Sequence, residues 1–204
     1  IHLHYTIGPW LRSQPLQRIN SCDLVFCVSH FIAEQARSHG VDPRRIVTMH
    51  NALDENELQT KPRVISAANS RPITIGQIGR MVEGKGFSDT LVAFRRVYER
   101  APRVNLLLVG DGPERGQLEA FVRAHDLASV VQFTGWRSDI RTLLSQMDLF
   151  VFPSRHEPFG MALLEACAAG VPAIAYRDGG VPEIITEQES GILVSPGDVQ
   201  ALSE

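Results

Sequence analysis

Three cysteines in 204 residues, Cys22, Cys27 and Cys167, are an odd set without metal-ligand spacing. They read as reduced core thiols of a cytosolic protein, not as a disulfide framework or a zinc module. No apolar run approaches the ~18 residues of a membrane span. No basic cluster is dense enough to follow a row of phosphates, and the net charge is -3 with mixed signs, so nothing calls for a nucleic-acid partner. The opening "IHLHYTIGPW" lacks the basic start and small-residue cleavage site of a signal peptide. It has no initiator Met and reads as a strand already under way, while "GDVQALSE" at the other end reads as the first turns of a helix; a fragment is expected. There is no Asp-x-Asp metal motif, no internal repeat and no low-complexity tract.

What is present is 44% hydrophobic and 21% charged, the balance of a globular α/β chain. Short apolar runs alternate with amphipathic stretches. "DLVFCVS" predicts a buried strand, and "HFIAEQARSHG" predicts a helix capped by Ser29 and closed by Gly40. "RIVTMHNALD" predicts a short strand and a turn. Residues 55–72 are polar and breaker-rich, which predicts a linker. From residue 73 the rhythm is regular: strands at "ITIGQIG", "VNLLLVG", "VVQFTG", "LFVFPS", "VPAIAY" and "GILVS", with helices between them, one of them ("DIRTLLSQM") capped by Ser138 or Asp139. Continuous Val/Ile/Leu runs predict strands buried on both faces of a parallel sheet. The expected fold is α/β: a doubly wound, Rossmann-like domain over 73–204, preceded by the last βα units of another such domain over 1–54.

Open parallel sheets bind ligands beyond the carboxyl ends of their strands. Four loops there carry chemistry. "GRMVEGKG" places Arg80 and Lys85 after a strand-ending Gly79. Two cations there suit a diphosphate, although alone they read more simply as solvated surface charges. "GDGPE" places Gly110 at a close backbone approach, to a ligand or merely within a tight turn. It is not a dinucleotide fingerprint, because G-x-G-x-x-G is incomplete. "SRHEPFGMALLEACAAG" begins a helix at Gly160, where the amides of Gly160 and Met161 and the helix dipole favour an anion. Glu157 lies just outside that position and suits neutral hydroxyls. Glu165 lies ~7.5 Å further along the helix than Gly160 and is expected to be part-buried, where a ribose diol would satisfy it, although on spacing alone a solvated Glu157 and a Glu165 on the exposed helix face read as well. "YRDGGVPEII" predicts a positive-φ turn and a short helix, with Glu183 capping or orienting a neighbouring loop.

In this order and spacing, "IGRMVEGKG", "LLLVGDGPE", "VVQFTGW", "DLFVFPSRHEPFGMALLEACAAGVPAIA" and "DGGVPEII", after "VSHFIAEQARSHGVDPRRIVTMHNALD", resemble the retaining glycosyltransferases of family four (glycosyl transferases group one), of the two-Rossmann-domain GT-B type. Ala52 stands where that family usually has Gly. The resemblance implies that Arg80 and Lys85 hold a donor diphosphate and that Glu157 contacts the transferred sugar. It implies that Phe159, Gly160 and Met161 meet sugar and phosphate, that Glu165 binds ribose, and that Trp136 and Arg137 lie beside the base. It implies 73–204 as the donor domain and 1–54 as part of the acceptor domain. His4 becomes the candidate strand-end histidine near the reacting carbon, with His2 open as the alternative register. The donor expected is a nucleoside-diphosphate sugar, UDP before GDP or ADP, with no cofactor and no metal. The acceptor is a glycan, lipid or small molecule, and a lipid acceptor would bring peripheral contact with the cytoplasmic membrane face. The rivals are a sugar-nucleotide epimerase, a phosphorylase, a nucleotide-sugar-binding module without transfer, and a flavodoxin-like signalling domain. An epimerase would lack the full glutamate pair with its Pro-Phe-Gly, a phosphorylase would carry a pyridoxal lysine, and a signalling domain would need an acidic cluster.

Overall fold

The computed structural model describes residues 1–4, 7, 14–54 and 71–204. The run Val104–Val109 (β5) shows why its residues are continuously apolar. Leu107 and Val109 enter one buried cluster, while Val104, Leu106 and Leu108 enter the other, on the opposite face. Ile73–Ile78 (β4), Val131–Phe133 (β6), Leu149–Phe152 (β7), Ala173–Tyr176 (β8) and Gly191–Val194 (β9) join it in one six-stranded parallel sheet. Helices cover both faces. Phe87–Arg100 (α3) and Arg115–Ala124 (α4) pack on one; Ile140–Leu144 (α5) and Met161–Ala168 (α6) pack on the other.

The strand order is β6-β5-β4-β7-β8-β9. The chain starts in the middle at β4, builds outward to β6, then returns to β7 on β4's other side. This is the doubly wound, Rossmann-like order, and the crevice between β4 and β7 is its topological switch point. Gly76 of β4 makes room for Met147, whose Sδ lies 2.1 Å from where a Cβ would stand. Asp148, just before β7, accepts 2.8 Å hydrogen bonds from Thr74 N and Arg71 Nη1, which anchors the start of β4.

A second, three-stranded parallel sheet is formed by His2–Leu3 (β1), Val25–Cys27 (β2) and Ile46–Thr48 (β3). Gln14–Asn20 (α1) and His30–Ser38 (α2) accompany it. Ser29 caps α2, its side chain accepting from Ile32 N at 3.0 Å, as the sequence predicts. The two sheets share apolar contacts: Phe159, from the larger unit, is buried in the cluster built on Leu3, Val25 and Ile32.

Four expectations need correction. α6 begins at Met161, with Gly160 as its N-cap. Asp139 occupies the N-cap position of α5 without capping it through its side chain, because its carboxylate is taken by Arg137. The last residues make a 3-10 turn, Ala201–Ser203, not an α-helical start. Of the three free thiols only Cys27 is fully buried; Cys22 and Cys167 are half-buried. The expected linker lies outside the described residues except for Arg71 and Pro72.

Candidate donor site at the strand switch point

The loops after β4, β5 and β6 are laced by glycines. Gly110 sits at φ +128°, and a Cβ there would lie 1.8 Å from Gly79 O. Its N–H donates to Gly135 O at 2.9 Å. A Cβ on Gly112 would lie 2.3 Å from Met81 O. The glycines of "GDG" therefore serve backbone-to-backbone approach: they let the Gly79–Met81 segment lie against the end of β5.

Two loops face each other across the switch point. Arg80 is exposed in the first. Lys85 is positioned by Gln77, whose Nε2 donates to Lys85 O at 2.8 Å. Gly86, at φ +71°, opens α3, and a Cβ there would lie 2.2 Å from Pro153 O in the second loop. Arg155 N donates to Gly84 O at 2.7 Å. Lys85 Nζ then reaches Glu157 Oε2 at 2.7 Å. Glu157 is only 8% exposed, and Ser154 Oγ donates to the same oxygen at 2.7 Å. The paired glycines of "DGG" let the next loop pass beneath: Gly180 N donates to Glu157 O at 2.8 Å, and a Cβ on Gly179 would lie 2.1 Å from that oxygen. Arg155 is held in turn by Asp89, which also accepts from the Tyr176 hydroxyl at 2.8 Å. Burial, followed by that bond to Asp89, pushes the Tyr176 hydroxyl pKa up.

Three residues after Glu157, Gly160 takes φ +114° and starts α6 with no side-chain cap. α6 thus starts three residues beyond Glu157 in the chain, and Met161, its first residue, is exposed. Glu165, half-buried on α6, lines a cleft of about 440 Å³ with Leu53, Ser138, Asp139, Arg141 and Leu144. The cleft reaches the loop that carries Trp136 and Arg137. Trp136 is 78% exposed, and Arg137 forks onto Asp139 at 2.7 and 2.6 Å. That fork holds the Asp139 carboxyl below its usual pKa and raises the guanidinium's.

Residues 59–204 match the family model "Glycosyl transferases group 1", and residues 1–57 match "Glycosyltransferase Family 4". The chain belongs to the group 1 glycosyltransferases. It is 30% identical to the lipopolysaccharide core biosynthesis glycosyltransferase LpsE of Rhizobium meliloti (strain 1021), over 92% of this chain and 54% of LpsE. It is 31% identical to the N-acetyl-alpha-D-glucosaminyl L-malate synthase of Bacillus anthracis, over 91% of this chain and 50% of the synthase. The chain spans about half the length of these relatives. Among solved structures it resembles Anabaena Alr3699/HepE in complex with UDP and glucose, with TM-score 0.85 and 27% identity, over 99% of this chain and 59% of that one.

In this group 1 glycosyltransferase chain Lys85 and Glu157 are paired, Gly160 is the N-cap of α6, Glu165 lines the cleft beside Ser138 and Asp139, and Arg80, Met161 and Trp136 are exposed. His4 is exposed at the end of β1 in the smaller sheet. Its ring stacks 5.7 Å from His2, so both histidines share the face opposite buried Leu3. Several participants carry no role in the sequence reading. Ser154, bonded to Glu157 and Gly84 O, and Gln77, bonded to Lys85 O, act from buried positions, and the S-x-x-E spacing of Ser154 to Glu157 is the only signal for either. Glu183 does orient a neighbour, but that neighbour is α2, more than 150 residues earlier. His30 N donates to its Oε2 at 2.7 Å and Phe31 N to its Oε1 at 3.0 Å. Burial alone pushes the Glu183 carboxyl pKa up; these two amides and His50 outweigh it and hold the carboxyl below its usual value.

Proposed function

We propose that the chain forms most of the donor side of a retaining hexosyltransferase, moving a hexose from a nucleoside-diphosphate sugar to an acceptor. In this reading 73–204 is the donor domain, 1–54 the end of the acceptor-side domain and 55–72 the linker. The observation that carries it is the Lys85–Glu157 pair at the switch point, followed three residues after Glu157 by the uncapped start of α6. A carboxylate suits sugar hydroxyls, and helix amides suit phosphate. An ammonium has three donors, so Lys85 can hold Glu157 and still offer two to a diphosphate. Glu165 reaches the ribose diol, with Trp136 and Arg137 beside the base. The UDP of the HepE complex supports UDP over GDP or ADP.

As the glycosidic bond breaks, negative charge grows on the β-phosphate. In this reading Arg80, Lys85 and the amides of Gly160 and Met161 receive that charge, and donors held in place in advance need little reorganisation. The chain's own residues supply that set in this reading, and no cofactor is called for. By the same reading the Phe159 amide joins those of Gly160 and Met161 at sugar and phosphate, and His4 completes the site from the acceptor side. The acceptor is a glycan, lipid or small molecule. The reading places the enzyme in the cytoplasm, at the membrane face when the acceptor is a lipid; among the described residues no helix is long and apolar enough to cross a membrane.

Calorimetry and thermal shift on the full-length protein with UDP-, GDP- and ADP-sugars test this. At a hundredfold excess over Kd the bound donor adds ~2.7 kcal/mol of stability. Glu165→Ala weakens nucleotide binding, whereas Glu157→Ala chiefly lowers turnover and sugar discrimination. Binding without transfer in the full-length protein would instead favour a nucleotide-sugar-binding module.

A further inference from the structure

Outside the donor crevice, His30, His50 and Glu183 bring one ligand atom each to within 4.8 Å of one another. We propose that these three side chains bind one transition-metal ion of the Zn²⁺ class between the two units of the chain.

The ligands come from three separate elements. His30 is the first residue of α2. His50 follows β3 by two residues. Glu183 ends the 3-10 turn Val181–Glu183 of the larger unit. Glu183 is 16% exposed and its carboxylate is oriented by the His30 and Phe31 amides. Such outer hydrogen bonds fix the direction of a metal-binding carboxylate and strengthen it as a ligand. His50 Nε2 already lies 2.8 Å from Glu183 Oε2, and the His30 and His50 rings meet edge to face at 5.4 Å. An ion at about 2.0–2.2 Å from each ligand requires them ~3.3 Å apart. The His50–Glu183 contact therefore opens by about half an ångström, with the His50 proton on Nδ1, and the exposed His30 ring swings inward from Thr48 Oγ1, now 3.3 Å from its Nδ1.

The donor set selects the ion. Two imidazoles with one carboxylate suit zinc, cobalt, nickel or copper, whereas magnesium and calcium prefer all-oxygen shells. His30 is exposed and His50 is 44% exposed, which gives the ion an entry path and leaves a fourth position to water. Two ligands belong to the smaller unit and one to the larger, so the ion joins them. His50 also stacks on Phe159 at 5.6 Å, next to the donor loop. The site does not depend on what the crevice binds.

The test uses full-length protein without a histidine tag, stripped by chelator and dialysed. Co²⁺ alone is followed by its visible absorption, then displaced by Zn²⁺. One equivalent binds, with absorption of a four-coordinate site. His30→Ala weakens binding ~100-fold and, because His30 gives Glu183 only its backbone amide, leaves the fold intact. His50→Ala and Glu183→Gln weaken it comparably. His125→Ala and His156→Ala, outside the cluster, leave it unchanged. Absence of a Co²⁺ spectrum in the wild type, or undiminished affinity in His30→Ala, overturns the proposal. Failure of the donor titrations alone does not touch it.

Discussion

Lys85 Nζ and Glu157 Oε2 lie 2.7 Å apart across the point where the sheet reverses its strand order. Neither residue belongs to a strand. Each sits in the loop after one: Gln77 of β4 holds the Lys85 backbone, and the paired Gly179-Gly180 lies against the Glu157 backbone. Removing one partner leaves the other charge unpaired. Glu157 is nearly buried while Lys85 is a third exposed, so the cost falls below the ~3–5 kcal/mol of a fully buried pair. Lys85→Ala is expected to destabilise by about 2 kcal/mol in urea unfolding. Lys85→Met with Glu157→Gln together cost less than either single change, because no charge is then stranded.

Gly110 tests the lacing of the strand ends. A Cβ there meets Gly79 O at 1.8 Å, and φ is +128°, where L side chains are strained. Overpacking and backbone strain each cost about 1–3 kcal/mol. Gly110→Ala is expected to lose about 3 kcal/mol or more by denaturant titration. Gly116, whose added Cβ meets nothing within 4 Å, is the control: Gly116→Ala is neutral or slightly stabilising.

The start of α2 is satisfied from both units. Ser29 takes Ile32 N, and Glu183 takes His30 N and Phe31 N. Ser29→Ala is expected to cost about 1 kcal/mol. Glu183→Ala strands two amides and costs more, and hydrogen exchange speeds up at His30 and Phe31. If Glu183→Ala leaves that exchange unchanged, the junction between units is not built as described.

Cys167 supplies a pH dependence. Burial pushes its thiol from 9.0 up to about 11. The folded state therefore favours the neutral thiol. The stability it contributes is full below pH 9 and is lost as pH rises through about 11. Cys167→Ala is expected to show a flatter stability curve than wild type over that window.

Periodicity made the sheet legible. The continuous apolar runs of β5, β7 and β8 read as strands buried on two faces because both faces are covered by helices. Ser29, followed by an amphipathic run, read as a capped helix for an equally local reason. Glu165 stood out because a carboxylate among Leu and Ala is costly without a partner, and Glu157 because it precedes a helix start that favours anions. What sequence could not give is pairing across distance. Lys85 finds Glu157 across 72 residues, and Glu183 finds α2 across more than 150. Gly110 was ambiguous for the same reason, since the backbone that needs its missing Cβ belongs to another strand. Ser138 or Asp139 read as a helix cap; Asp139 holds the position, but a neighbouring arginine competed for its carboxylate.

The most direct measurement is a crystal structure of the full-length protein with a UDP-sugar bound. The β-phosphate is expected within hydrogen-bond reach of Gly160 N, Met161 N and Lys85 Nζ, the sugar on Glu157 and the ribose on Glu165. A diphosphate seated elsewhere, with both glutamates turned away from the nucleotide, would contradict the account.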